Sequence, residues 1–266
     1  MLPRRCCNIL RGSHPIGGAF LSRPDPSHAA TAGRRIYAIG DIHGRADLLD
    51  RILEIIRLDS GLDGAARAPI LVFLGDYIDR GLESRAVLDR LIRIRTEGEF
   101  EARFLKGNHE HALLKFMTRS QSGQAWLAFG GAETLYAYGV RVPAPGANPD
   151  ELRRTAEALG AALPRDHLGF LNGLELVIRY GDYVFVHAGL RPGRALERQD
   201  EDDLLTIRDV FIQSRKKWPF VVVHGHTPEP NVHVDHRRIG IDTGAYATGR
   251  LSAVRLEGDS VRVLST

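Results

Sequence analysis

Short apolar runs alternate with longer amphipathic stretches over most of the chain. Residues 35–39 are brief and apolar and run into Gly40; past a polar turn, Leu48, Leu49, Ile52, Leu53 and Ile56 recur at helical spacing. The pattern repeats. Residues 70–74 form a buried strand ending at Gly75, and Val87, Leu88, Leu91 and Ile92 mark the helix that follows. A third unit pairs Phe104 and Leu105 with a helix starting near His109. Alternation of this kind predicts right-handed crossovers and a largely parallel sheet, hence an α/β fold.

From about 112 to 172 the pattern changes character. Trp126, Phe129, Leu135 and Tyr138, then Leu152, Leu159, Leu163, Leu168 and Leu171, sit among Gly, Pro and polar residues, which predicts a helical insertion over the sheet. Residues 175–180 and 183–187 flank Gly181-Asp182, a hairpin signal. A further buried strand at 220–223 leads into His224-Gly225-His226. The stretches 238–241, 251–256 and 261–264, the last two split by Gly258-Asp259, read as antiparallel strands.

Composition changes this picture little. The 266 residues are 43% apolar and 26% charged, ordinary for one large enzyme domain. A pI near 9.0 suggests nucleic acid until the charge is located. Residues 1–35 hold six arginines against one acid, Asp25, leaving a body of 30 basic and 32 acidic residues, so no nucleic-acid partner is expected. This basic leader, residues 1–33, lacks the continuous apolar stretch of a secretory signal and is expected to be a disordered extension; the enzyme domain is expected over 34–266. The only cysteines, Cys6 and Cys7, are adjacent in that leader and can build neither a disulfide framework nor a metal site, which suits a reducing, cytoplasmic setting. No run approaches the roughly 18 apolar residues of a membrane span, so no membrane partner is expected, and the protein is expected to be a monomer.

The chemistry lies where strands run out: Asp41 and His43, Asp76 with Asp79 and Arg80, Asn108 and His109, His187, and His224 with His226. Carboxyl ends of strands are where α/β sheets hold ligands, so these clusters are expected to converge. Singly, each has a plain explanation. Asp41 and Asp76 could be helix N-caps, Asn108 a left-handed turn, His187 and His226 core histidines, and Asp79-Arg80 a surface ion pair. Together, in order, they offer oxygen and imidazole ligands without thiolate, which suits Mn²⁺, Fe or Zn²⁺. Six ligands suit two ions sharing a carboxylate, the arrangement that clamps both oxygens in phosphoryl transfer.

The motifs GDIHG (40–44), GDYIDRG (75–81), KGNHE (106–110), HAGL (187–190), HGHT (224–227) and IDTGA (241–245) resemble, in register, those of the PPP-type metallophosphatases. These belong to the calcineurin-like phosphoesterase superfamily, and the small bacterial and lambda-like serine/threonine protein phosphatases are the most similar branch. The resemblance implies a four-layer αββα sandwich of two mixed sheets flanked by helices. It implies that Asp41 and His43 bind one ion, that Asp76 bridges, and that Asn108, His187 and His226 bind the other, with Mn²⁺ favoured. Pro228 stands where broader relatives carry a further histidine, and His224 is by the match not a ligand. The implied reaction is hydrolysis of a phosphomonoester, on a phosphorylated protein or peptide, by a hydroxide held between the ions. Arg80 and Arg208 would bind phosphoryl oxygens, with Arg191 a rival for the second place. His109 would protonate the departing alkoxide, oriented by Asp79. A dinucleoside polyphosphate or other small phosphoester is the alternative substrate. Residues 235–238 have no derivable role and are expected to be a solvated loop.

Overall fold

Alternation within single strands decides where the cores sit. The computed structural model describes residues 31–61 and 68–266; the expected leader as far as residue 30, with Cys6 and Cys7, lies outside them. In chain order come β1 (Ile36–Ile39), α1 (Ala46–Ser60), β2 (Ile70–Phe73), α2 (Ser84–Glu97) and β3 (Glu101–Phe104). The insertion follows as α3 (Asn108–Thr118), α4 (Gly123–Trp126), α5 (Ala132–Ala137), α6 (Pro149–Ala162) and α7 (Arg165–Asn172). Then come β4 (Val177–Tyr180), β5 (Tyr183–Val186), α8 (Glu201–Thr206), α9 (Asp209–Ile212), β6 (Val221–His224), β7 (His233–Val234), β8 (Arg238–Gly240), α10 (Ala245–Thr248), β9 (Ser252–Glu257) and β10 (Ser260–Ser265).

The strands form two five-stranded sheets, ordered β10-β9-β1-β2-β3 and β4-β5-β6-β8-β7. In β1 and β2, Ile36, Ala38, Ile70 and Val72 point to one core, shared with Phe185, Val221, Val223 and Ile239 of the second sheet. Tyr37, Ile39, Leu71 and Phe73 point the other way, onto the apolar faces of α1, α2 and the insertion. On the second sheet Val184, Val186 and Val222 turn outward to Leu204 and Phe211 on α8 and α9. Period-two alternation therefore feeds separate cores from each strand, and the result is the expected αββα sandwich.

Both sheets are mixed. β1, β2 and β3 run parallel, as do β5, β6 and β8, while β9, β10, β4 and β7 are antiparallel to their neighbours. The expectation of a largely parallel sheet holds only at each centre. The grouping of the last three strands is corrected: β9 and β10 form a hairpin on β1, but β8 joins the other sheet, parallel to β6. Its three residues are too short to signal a partner, and β7, with two, left no apolar pattern. The solvated loop is corrected too, because Arg238 is buried, with Nη1 3.1 Å from both Glu229 Oε1 and His224 Nε2. The leader boundary sits close to a structured residue: Thr31 is buried, its carbonyl accepts from Arg34 N at 3.1 Å and its hydroxyl from Gly258 N at 3.4 Å.

Candidate metal centre

The carboxyl ends of β1, β2, β5 and β6 meet at one place. Gly225 N donates to His187 O at 2.8 Å, and His226 N donates to Asp41 Oδ2 at 3.0 Å across 185 residues of sequence. Asp76 lies at the middle. Its carboxylate belongs to two groups of potential ligand atoms, one with His43 and His109, the other with His187 and His226, the atoms of each lying within 4.8 Å of one another. Asp76 Oδ2 is 3.5 Å from His43 Nε2, and Oδ1 is 3.4 Å from His187 Nε2. Asn108 Oδ1 lies 3.0 Å from His187 Nε2, beside the second group. Asp41 joins neither trio, but stands close enough to Asp76 and Asp242 for their charges, after burial, to push its carboxyl well above the usual range.

The plain readings of Asp41, Asp76, Asn108 and the Asp79-Arg80 pair do not describe what is seen, whereas His187 and His226 are indeed buried. Arg45 and Glu83, not Asp41 and Asp76, occupy the N-cap positions of α1 and α2. Asn108 is the first residue of α3 and has no positive φ. Asp79 is wholly buried, and its ionic partner is His109, with Nδ1 2.7 Å from Oδ2.

Three histidines have the set expected of metal ligands. The Nδ1 of His43 lies 2.9 Å from Ile78 O and that of His187 2.8 Å from Leu74 O, while the backbone of Thr206 bonds His226. A ring N–H given to a carbonyl leaves the opposite nitrogen with its lone pair facing inward. Burial, then the charge on His187, depresses His226 to about 2, and burial depresses His43 to about 3, so both are neutral and able to coordinate, whereas His187, raised against burial by Asp76, coordinates only on giving up its Nε2 proton. His226 Nε2 and Asp41 Oδ1 are buried with no hydrogen-bond partner. Buried acceptors left in this state are costly unless something positive meets them, so the donor set fits divalent cations. His224 is different: its Nδ1 lies 3.0 Å from Gly225 O and its Nε2 faces the Arg238 guanidinium, which leaves no nitrogen free.

Close packing explains two glycines. A Cβ on Gly107 would run into Asp76 Oδ1, and one on Gly225 into Asp41 Oδ1, so each lets backbone approach a carboxylate. Glu110 makes this packing possible. Fully buried, it accepts from Asp76 N and Gly107 N at 2.9 Å, Tyr77 N at 2.8 Å and Ile78 N at 3.3 Å. Burial and the charge of Asp76 push its carboxyl up to about 7, against N–H bonds that favour the ionised form.

Arg80 stacks on Tyr246 with its guanidinium carbon 4.7 Å from the ring centroid, and its charge reaches Asp41, His43 and His109. Arg208 is exposed, at the start of α9, with its charge felt at His226. Arg191 forks onto Asp203 with both bonds at 2.5 Å, which engages the guanidinium of that rival. Burial opposes charge on His109, but Asp76 and Asp79 together raise its pKa above the ordinary histidine value.

Sequence reasoning named this assembly from strand ends but missed four contributors. Glu110 and Asp242 sit inside quoted motifs without a role, although both are buried and Asp242 lies against the acids of the centre. Trp126 read as core, and Thr134 carried no signal, yet both bond to Asp79, at 2.8 and 2.5 Å.

Residues 34–261 match the sequence profile of the calcineurin-like phosphoesterases. Among characterised proteins, serine/threonine-protein phosphatase 1 of Salmonella typhimurium is 31% identical, over 84% of this chain and 93% of its own length. An asymmetrical bis(5'-nucleosyl)-tetraphosphatase of Bacillus velezensis is 24% identical over 86% of this chain and 92% of its own. The crystal structure of a candidate diadenosine tetraphosphatase superposes with a TM-score of 0.60 at 24% identity, covering 88% of this chain and 94% of that one, a likeness of fold.

Proposed function

The chain belongs to the calcineurin-like phosphoesterase family, and from that membership we propose a metal-dependent hydrolase of phosphomonoesters whose substrates are phosphorylated serine or threonine residues of proteins. The observation that carries this reading is the position of Asp76, between His43 on one side and His187 on the other and next to the buried His109–Asp79 pair. In this reading Asp41 and His43 hold one divalent ion, Asp76 bridges, and Asn108, His187 and His226 hold the second, with Mn²⁺ the favoured metal and the cytoplasm the setting. When bound, such ions supply Lewis acidity, acidifying water and offsetting negative charge on the phosphoryl group.

The chain's own residues then divide the remaining work. Arg80, with its guanidinium over the Tyr246 ring, presents a planar donor fork to two phosphoryl oxygens, and Arg208, at the start of α9, supplies a second guanidinium. His109 donates its Nδ1–H to Asp79, and the negative charges of Asp76 and Asp79 favour, against burial, the charged ring, in which Nε2 also carries a proton; that proton goes to the leaving oxygen as its bond to phosphorus breaks. Asp79 fixes the ring and favours its charged form.

The tetraphosphatase named above aligns over nearly its full length, so hydrolysis of a dinucleoside polyphosphate is a second reading. Against it, the more similar full-length relative is named a protein phosphatase. Turnover of a phosphoserine peptide and of diadenosine tetraphosphate with added Mn²⁺ separates the two. The proposal expects higher kcat/KM on the peptide; a higher value on the dinucleotide would transfer the assignment to the second reading.

A further inference from the structure

Asp79 and Arg80 are consecutive non-glycine residues with φ of 71° and 67°, a backbone that L residues seldom adopt. What holds them there comes largely from the helical insertion. Asp79 N donates to Thr134 Oγ1 at 3.0 Å and to Ser84 Oγ at 3.1 Å, and Arg80 N donates to Gly130 O at 3.0 Å. The Asp79 side chain is gripped as well. Trp126 Nε1 donates to Oδ2 at 2.8 Å and Thr134 Oγ1 to Oδ1 at 2.5 Å, while Oδ2 also takes the His109 ring.

Trp126, Gly130 and Thr134 are spaced by four, along one face of the stretch from α4 to α5. Between the two lies a kink, residues 127–131, in which Gly130 has a non-helical φ of 106°. The kink turns the Gly130 carbonyl out of the helix, where it accepts from Arg80 N. Here a Cβ on Gly130 would lie 2.7 Å from Arg80 Cγ, and one on Gly131 would lie 2.5 Å from the Trp126 ring, so both glycines are needed for the fit.

We propose that Trp126 and Thr134 are positioning residues for the leaving-group acid: the insertion sets Asp79, and through it His109, while Gly130 sets Arg80 by the same kink. This rests on the reading of His109 as acid given above. One short kinked segment thereby fixes the proton donor relative to the phosphate-binding arginine without touching substrate. The insertion is in this account part of the catalytic apparatus, where its apolar pattern alone would make it a cover for the sheet.

The test uses the full chain loaded with Mn²⁺ and aryl phosphates whose phenols range from strongly to weakly acidic, so it does not depend on the physiological substrate. Trp126→Phe removes the N–H and keeps a ring; Thr134→Val removes the hydroxyl at nearly constant shape, and Thr134→Ser restores it. Each of the first two is expected to lower kcat on the poorest leaving group on the order of tenfold, a part of the 10²–10⁴-fold that general acid catalysis supplies. On p-nitrophenyl phosphate kcat should hardly change, KM and metal content should stay as in the parent, and Thr134→Ser should recover the loss. In an Asp79→Asn background Trp126→Phe should add nothing. Equal losses across the series, or a full additional loss in the Asp79→Asn background, would overturn the proposal. His109→Asn serves as the reference: if it too shows no leaving-group dependence, the acid assignment itself fails, whereas selectivity in His109→Asn without selectivity in either insertion variant rejects the positioning role alone.

Discussion

Among the described residues, His43, Asp76, Asp79, Arg80 and His226 are five of the six non-glycine residues with positive φ. Each costs about 1–2 kcal/mol relative to ordinary backbone. Such conformations persist where surrounding bonds over-determine them, and here each aims a side chain that an ordinary loop would not aim. Electrostatics at the same residues makes a further expectation. His109 holds its proton above the usual histidine range because, against burial, Asp76 and Asp79 favour the charged ring. Removing the negative partner in Asp79→Asn must lower that pKa, so the proton is lost at lower pH. The alkaline limb of kcat for a poor leaving group should therefore move to lower pH in Asp79→Asn, read from a pH series on an alkyl phosphate with metal held saturating. An unmoved limb would mean that the limb belongs to another group.

At the scale of elements, the loop after β2 is tied to the start of α3 by a single carboxylate. Glu110 accepts backbone N–H groups from Asp76, Tyr77, Ile78 and Gly107. Glu110→Gln replaces one acceptor oxygen by an N–H₂ facing donors, leaving buried N–H groups unpaired at about 1–3 kcal/mol each. A denaturant titration of the variant should show a lower midpoint at constant slope; an unchanged midpoint would deny Glu110 this role. What the sequence makes legible at this scale follows the same physics. Strands such as 70–74 announce themselves because both faces are buried, and a polar residue directly after such a run has to lie at a sheet end, which is why Asp41, Asp76 and His187 could be placed. The partner of β8 could not be read, since residues 238–240 alternate nothing. Trp126 is apolar at helical spacing and buried against Phe116, so its N–H to Asp79 is invisible without coordinates. Thr134 lies in a helix of six residues, where no periodicity distinguishes a hydroxyl aimed inward from one aimed at solvent.

Across the whole molecule, both sheets contribute to one centre, and the folded body closes on its own N-terminal segment at Thr31 and at Arg34, which bonds Glu101 at 2.5 Å. A chain starting at Thr31 is expected to keep the metal content and turnover of the full chain, whereas loss of either would make residues 1–30 part of the working enzyme. Among the described residues no helix is long and apolar enough to cross a membrane. We propose that two cations share Asp76, whose carboxyl, against burial, the charges on His187 and His109 hold well below its usual range. Elemental analysis of gel-filtered protein, parent and Asp76→Asn side by side after Mn²⁺ loading, tests it most directly. Two ions per parent chain and fewer than one in the variant are expected, because an amide cannot neutralise two cations; two ions retained by folded Asp76→Asn would rule out the shared carboxylate.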